Sequence, residues 1–179
     1  MRKYFPPGVL FCALALAGGL ALPAAAQTEI LKIDWELSKL QAKKRLPFTP
    51  VAVLSADPAL KFTDSLRAVI TLRNTSAKKA DGLVISYSLR LRLLKAGEPQ
   101  EKAFWGVPFY TEEIRVAAVN ALSERSARVL KFGIAEQLRK LRGSGFAPIA
   151  IKMDAMLCPR LGDDPAGIMK ESVLEIRKP

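Results

Sequence analysis

The sequence predicts an all-β protein, an antiparallel β-sandwich of about eight strands with one short helix near residues 134–142. Three observations carry this. Apolar residues recur with period two through most of the chain after residue 27. Gly, Pro, Asn and Asp turn signals separate those runs. The period changes only once, where Ile134, Leu138 and Leu141 fall at helical spacing among charged residues and Gly143 supplies a stop. A closed barrel is the alternative reading.

The first 26 residues read as a secretory leader. Arg2 and Lys3 make a positive start, residues 8–22 form an Ala- and Leu-rich run, and Pro23-Ala24-Ala25-Ala26 offers small residues before a cut ahead of Gln27. The run is short of the roughly 20 apolar residues that span a bilayer. Cys12 follows Leu10 and Phe11, which is the wrong context for lipid attachment. The expectation is export to the periplasm or beyond, and a soluble single domain over residues 27–179.

Each strand has its own apolar face. Leu31, Ile33, Trp35 and Leu37 alternate with Lys32, Asp34, Glu36 and Ser38, and Lys43-Lys44-Arg45 with Pro47 closes that strand. A short apolar strand over residues 51–54 precedes an Asp57-Pro58 turn. Leu66, Ala68, Ile70 and Leu72 oppose Arg67, Thr71 and Arg73. A polar loop from Asn74 to Gly82 leads into Leu83, Ile85, Tyr87, Leu89, Leu91 and Leu93, the longest alternation in the chain and a predicted central strand. Ile114, Val116 and Val119 form another strand, with a bulge expected at Ala117-Ala118. Residues 128–132, then Ile149 to Leu157, then residues 173–177 complete the set, with a loop over residues 159–167.

Composition excludes much chemistry. The 179 residues include no histidine, which removes Ser-His-Asp and Cys-His catalysis and the usual zinc sites. Of the two cysteines only Cys158 lies outside the leader, so no intramolecular disulfide is expected and Cys158 reads as a small buried residue. Glu112-Glu113 and Asp163-Asp164 are the carboxylate pairs. Neighbouring strand carboxylates face opposite ways, and Asp163 to Gly167 resembles a turn more than a calcium loop. No catalytic residue, metal site or cofactor is implied, and an enzyme is not expected.

A formal net charge of +11 favours anionic partners. Arg90 and Arg92 share the polar face of the long strand, with Lys95 just beyond, and side chains two apart on a strand lie about 7 Å apart. They are the candidate anion-binding residues, for a lipid or glycan, unless Glu112 or Glu113 on a neighbouring strand neutralises them. Phe104, Trp105, Phe109 and Tyr110 are the candidate partner-binding residues, because Gly106 and Pro108 break their strand and alternation cannot bury all four rings together. The basic runs lack the aromatic interleaving of single-strand nucleic-acid binders, so no nucleic acid is expected.

The stretch LRAVITLRNTSAKKADGLVISYSLRLRL, residues 66–93, resembles the central hairpin of bacterial immunoglobulin-like domains of the adhesion-associated type. LSERSARVLKF, residues 122–132, resembles the turn and strand that follow. The loop reads Asn74-Thr75-Ser76 where Asn-x-Gly is frequent, and the helix is extra. The resemblance implies an immunoglobulin-like sandwich that binds or presents something, most simply an envelope or surface protein, and transfers no functional residue.

Overall fold

The computed structural model describes residues 28–55, 64–132, 140–141, 144–160 and 163–177. The leader, the Asp57-Pro58 turn and nearly all of the expected 134–142 helix lie outside them. Among the described residues are twelve strands in two main sheets and a small hairpin.

Four strands make the smaller sheet, in the order β10 (Ser123–Phe132), β6 (Ser65–Asn74), β1 (Thr28–Ser38), β4 (Thr49–Pro50). The larger sheet runs β5 (Val53–Ser55), β12 (Met169–Arg177), β11 (Phe146–Leu157), β7 (Ala80–Lys95), β8 (Phe104–Trp105), with β9 (Tyr110–Val119) also on β7. β2 (Leu40–Gln41) and β3 (Lys44–Arg45) pair only with each other. Five of the twelve strands are pieces of two or three residues, which is why the period-two signal shows about eight. All pairings are antiparallel except β5 with β12, a departure from the wholly antiparallel expectation.

The core lies between the sheets. Leu66, Ala68, Ile70 and Leu72 of β6 meet Leu83, Ile85, Tyr87, Leu89 and Leu91 of β7, with Ile151, Met153 and Leu157 of β11. Alternation places each set on one face because successive side chains point to opposite sides of a strand. Trp35 is in this core, as expected. Its indole Nε1 donates to Ser172 Oγ at 2.9 Å, and that hydroxyl donates to the Ile33 carbonyl at 3.2 Å, linking β1 to β12 of the other sheet.

Several expectations need correction. A bulge between Ile30 and Lys32 resets the alternation of β1, so Ile30 is buried and Leu31 only partly so. Ser38, expected on the wet side, is fully buried and donates to the Leu46 carbonyl at 2.6 Å. No bulge interrupts β9 at Ala117-Ala118. Its register on β7 stays in step from Ala80↔Val119 to Leu89↔Tyr110, and on β7 Gly82 takes a positive φ of +63°, which glycine adopts without steric cost. Cys158 is exposed, because β11 ends at Leu157 and the chain leaves the sheet there. The 159–167 loop ends in a one-turn helix, α1 (Pro165–Ile168), whose first turn Asp164 caps by accepting from the Ala166 N–H.

Candidate functional site

The long strand β7 has a divided neighbour. Arg92 pairs with Trp105 of β8 and Leu89 with Tyr110 of β9, so the edge chain carries two residues more than β7 across that interval. Gly106 N–H donates to Leu91 O and Phe109 N–H to Leu89 O, both at 2.9 Å, and Val107-Pro108 is pushed out between them. Proline suits this position because it has no N–H to lose from the ladder. Such a bulge on a sheet edge blocks further strand pairing and re-aims side chains.

The four rings are therefore not equivalent. Phe104 is 49% exposed and meets Phe146 edge-on at 5.9 Å. Trp105 is half-buried, with the Lys152 ammonium 5.5 Å from its ring centroid. Phe109 packs against the core. Tyr110 is 38% exposed, and between Phe104 and Tyr110 stands Val107, 84% exposed, which the sequence reading passed over.

Arg90 and Arg92 share the outer face of the larger sheet, as expected, but Arg90 meets neither Glu112 nor Glu113. Its Nε lies 3.4 Å from Asp154 Oδ2. Lys152 contacts Asp154 at 3.0 Å and Glu171 at 3.4 Å, so β7, β11 and β12 carry a ladder of alternating charge. The hydrogen bond to Asp154 holds the Lys152 ammonium above its usual range. Arg92 has no ion pair among the described residues and lies in register with Trp105. Lys95 is exposed at the end of β7 opposite Phe146 and does not join the pair. Asp154 escaped the sequence reading because cross-strand register is a tertiary property.

Glu112 and Glu113 are engaged elsewhere. Glu113 accepts from Ser86 at 3.0 Å. Glu112 Oε2 accepts from the Tyr87 hydroxyl and, at 2.9 Å, from the Tyr110 hydroxyl, and the two rings lie 6.1 Å apart. Burial first, then the bond to Glu112, pushes the Tyr87 phenol well above its ordinary range. The bond to Glu112 raises Tyr110 as well. A raised phenol favours the fold while protonated, so this stability is complete below the ordinary tyrosine value and is lost as pH rises past it. Tyr87→Phe is expected to lose stability less steeply than the wild type between neutral pH and about pH 11, by urea midpoints. Lysine contributions are common to both proteins, so parallel profiles would show that the Tyr87 phenol is not raised in the folded protein.

Among the described residues no three carboxylate or thiol groups come together as metal ligands, and no helix is long and apolar enough to cross a membrane. No protein-family model matches the sequence, and no curated protein matches it. Among solved structures, the sporulation control protein Spo0M from Bacillus subtilis is similar at 12% identity and a TM-score of 0.32. The likeness covers 82% of this chain and 48% of that one, so this chain spans less than half of that protein's length.

Proposed function

We propose that the chain is an exported, non-enzymatic binding or assembly protein of the cell envelope, built on an immunoglobulin-like sandwich. It engages a partner protein through the bulged edge segment over residues 104–110. The observation that carries this reading is the exposure of Phe104, Val107 and Tyr110 along one edge of the larger sheet. Aromatic residues on a rigid frame are favoured interface anchors, and the bulge stops a partner from simply extending the sheet. The leader-like start of the sequence supports the address.

The second reading, an anionic lipid or glycan held by Arg90 and Arg92, has less support. Asp154 and Glu171 already offset the charge of Arg90 and Lys152, which leaves Arg92, of the two arginines, without an ion pair among the described residues.

A photo-crosslinking residue placed at Val107 in living cells is expected to capture one discrete protein. Phe104→Ala with Tyr110→Ala is expected to weaken that complex roughly 10- to 100-fold, since two interface anchors are lost. An identical adduct from a crosslinker at Ser126, on the opposite sheet, would overturn the surface. Export is checked by fractionation and by a mature N-terminus at Gln27.

A further inference from the structure

We propose that the β2–β3 hairpin docks the protein on an anionic phospholipid surface. In the hairpin Leu40 faces Arg45 and Gln41 faces Lys44, around a two-residue turn of Ala42 and Lys43. Both turn residues have positive φ, +46° and +65°. Such turns are ordinarily built from Asn-Gly, because a side chain at positive φ meets steric resistance. Strain kept at a turn points to a use for the residue held there, and here a lysine is held at the tip.

Residues directly opposite on two strands share a face. Leu46 N–H donates to Lys39 O at 2.9 Å, which extends the ladder by one pair. Lys39, Gln41, Lys44 and Leu46 thus occupy one face, with Lys43 at the tip. The other face turns to the body of the protein, where Arg45 Nη1 donates to Ser65 Oγ at 2.7 Å and Leu40 N–H to Asp64 Oδ1 at 3.3 Å. The buried Ser38 hydroxyl clamps the base of the hairpin through Leu46 O. The basic face is therefore held in one orientation.

Among the described residues no ion pair offsets the lysines of this face. Residues 39–55 contain no Asp or Glu. Lys32, Lys79, Lys102 and Lys152 each have a carboxylate partner, whereas Lys39, Lys43 and Lys44 are exposed and have none among the described residues. Leu46, 38% exposed, stands on the same face as Lys39 and Lys44. A headgroup layer accepts both features, the cations at the phosphates and the apolar side chain below them. A polyanion such as nucleic acid or a sulfated glycan would use only the cations.

The test is flotation of the protein, all variants in the same processed form, with vesicles of phosphatidylcholine alone or of equimolar phosphatidylcholine and phosphatidylglycerol. Wild type is expected to bind the anionic vesicles and not the neutral ones. Each lysine near an anionic surface strengthens binding roughly fivefold, so K39S/K43S/K44S should bind about 100-fold more weakly. Leu46→Ser should weaken vesicle binding while leaving retention on heparin unchanged. Thermal denaturation confirms that the variants fold. The proposal is overturned by absent wild-type binding, or by an unaffected triple variant. Equal loss in the control K78S/K102S/K170S would assign the effect to net charge. An unaffected Leu46→Ser with heparin retention lost in the triple variant would assign the hairpin to polyanions.

Discussion

Trp35→Ala is expected to destabilise the protein by about 4 kcal/mol, within the range for removing a buried large aromatic side chain. Trp35 is 5% exposed and pairs across the ladder with Ala68, which is 0% exposed and too small to fill the space. The cavity would therefore persist, and its lining would lose dispersion contacts as well as burial. The indole bond to Ser172 goes too, and with it a tie between the sheets. Ser172 keeps its bond to the Ile33 carbonyl, so the polar loss is only part of the cost. Trp35→Phe should cost less, about 1–2 kcal/mol, because most of the volume remains. Urea unfolding followed by far-UV circular dichroism decides this, since the substitution alters tryptophan fluorescence. A loss below about 1 kcal/mol for the alanine variant would place Trp35 outside a packed core.

Asn74→Ala should follow closely, at about 3 kcal/mol. Asn74 is 1% exposed at the end of β6. Its Nδ2 donates to the carbonyls of Lys78, Val119 and Asn120 at 2.8, 3.2 and 3.0 Å. Its Oδ1 accepts from the Ser76 N–H at 3.0 Å and from the Ser76 hydroxyl at 2.8 Å. One side chain thus supplies partners for the β6–β7 loop and for the turn between β9 and β10. Alanine would leave these buried or partly buried groups without their partner, and the cost of unmade bonds exceeds the gain of made ones. At roughly 2–4 °C per kcal/mol for a domain of this size, the melting temperature should fall by about 10 °C. Asn74→Asp separates packing from hydrogen bonding. It keeps the volume and the Ser76 contacts but sets a carboxylate against three carbonyls. That carboxyl would have a raised folded-state pKa, so its protonated form favours the fold. Asn74→Asp should therefore lose stability as pH rises through the carboxylate range. A pH-independent Asn74→Asp defect would contradict the donor assignment at Nδ2.

The long alternations were legible because burial on one face of a strand leaves a period-two record. Leu83 to Leu91 and Leu66 to Leu72 occupy the core as read. The hairpin β2–β3 was not legible. Ala42-Lys43 carries none of the usual turn residues, so Lys43-Lys44-Arg45 read as a strand terminator. Leu31 was misplaced because a bulge shifts parity without changing composition, and Ser38 because the base of the hairpin, through the Leu46 carbonyl, covers the outward face of β1 there. Cys158 read as buried on average behaviour, and the end of β11 decided otherwise.

For the site, the sequence singled out the 104–110 aromatics because Gly106 and Pro108 interrupt a strand, and that interruption is a real bulge. Which rings stay exposed depended on the neighbour each one met: Phe146 for Phe104, Lys152 for Trp105, Tyr87 for Tyr110. The pairing of Arg90 with Asp154 likewise required β11 to lie beside β7.

By itself the sequence determined the all-β class, the inward faces of the long strands and the chemistry missing from a chain without histidine. Those properties are local or compositional, so they survive without knowledge of the partners. Tertiary structure decided which cations are neutralised, which aromatics remain at an edge, and which lysines a hairpin presents on one face. Each of these depends on residues far apart in the chain meeting across a register, and a register is set only when the sheets close on a common core.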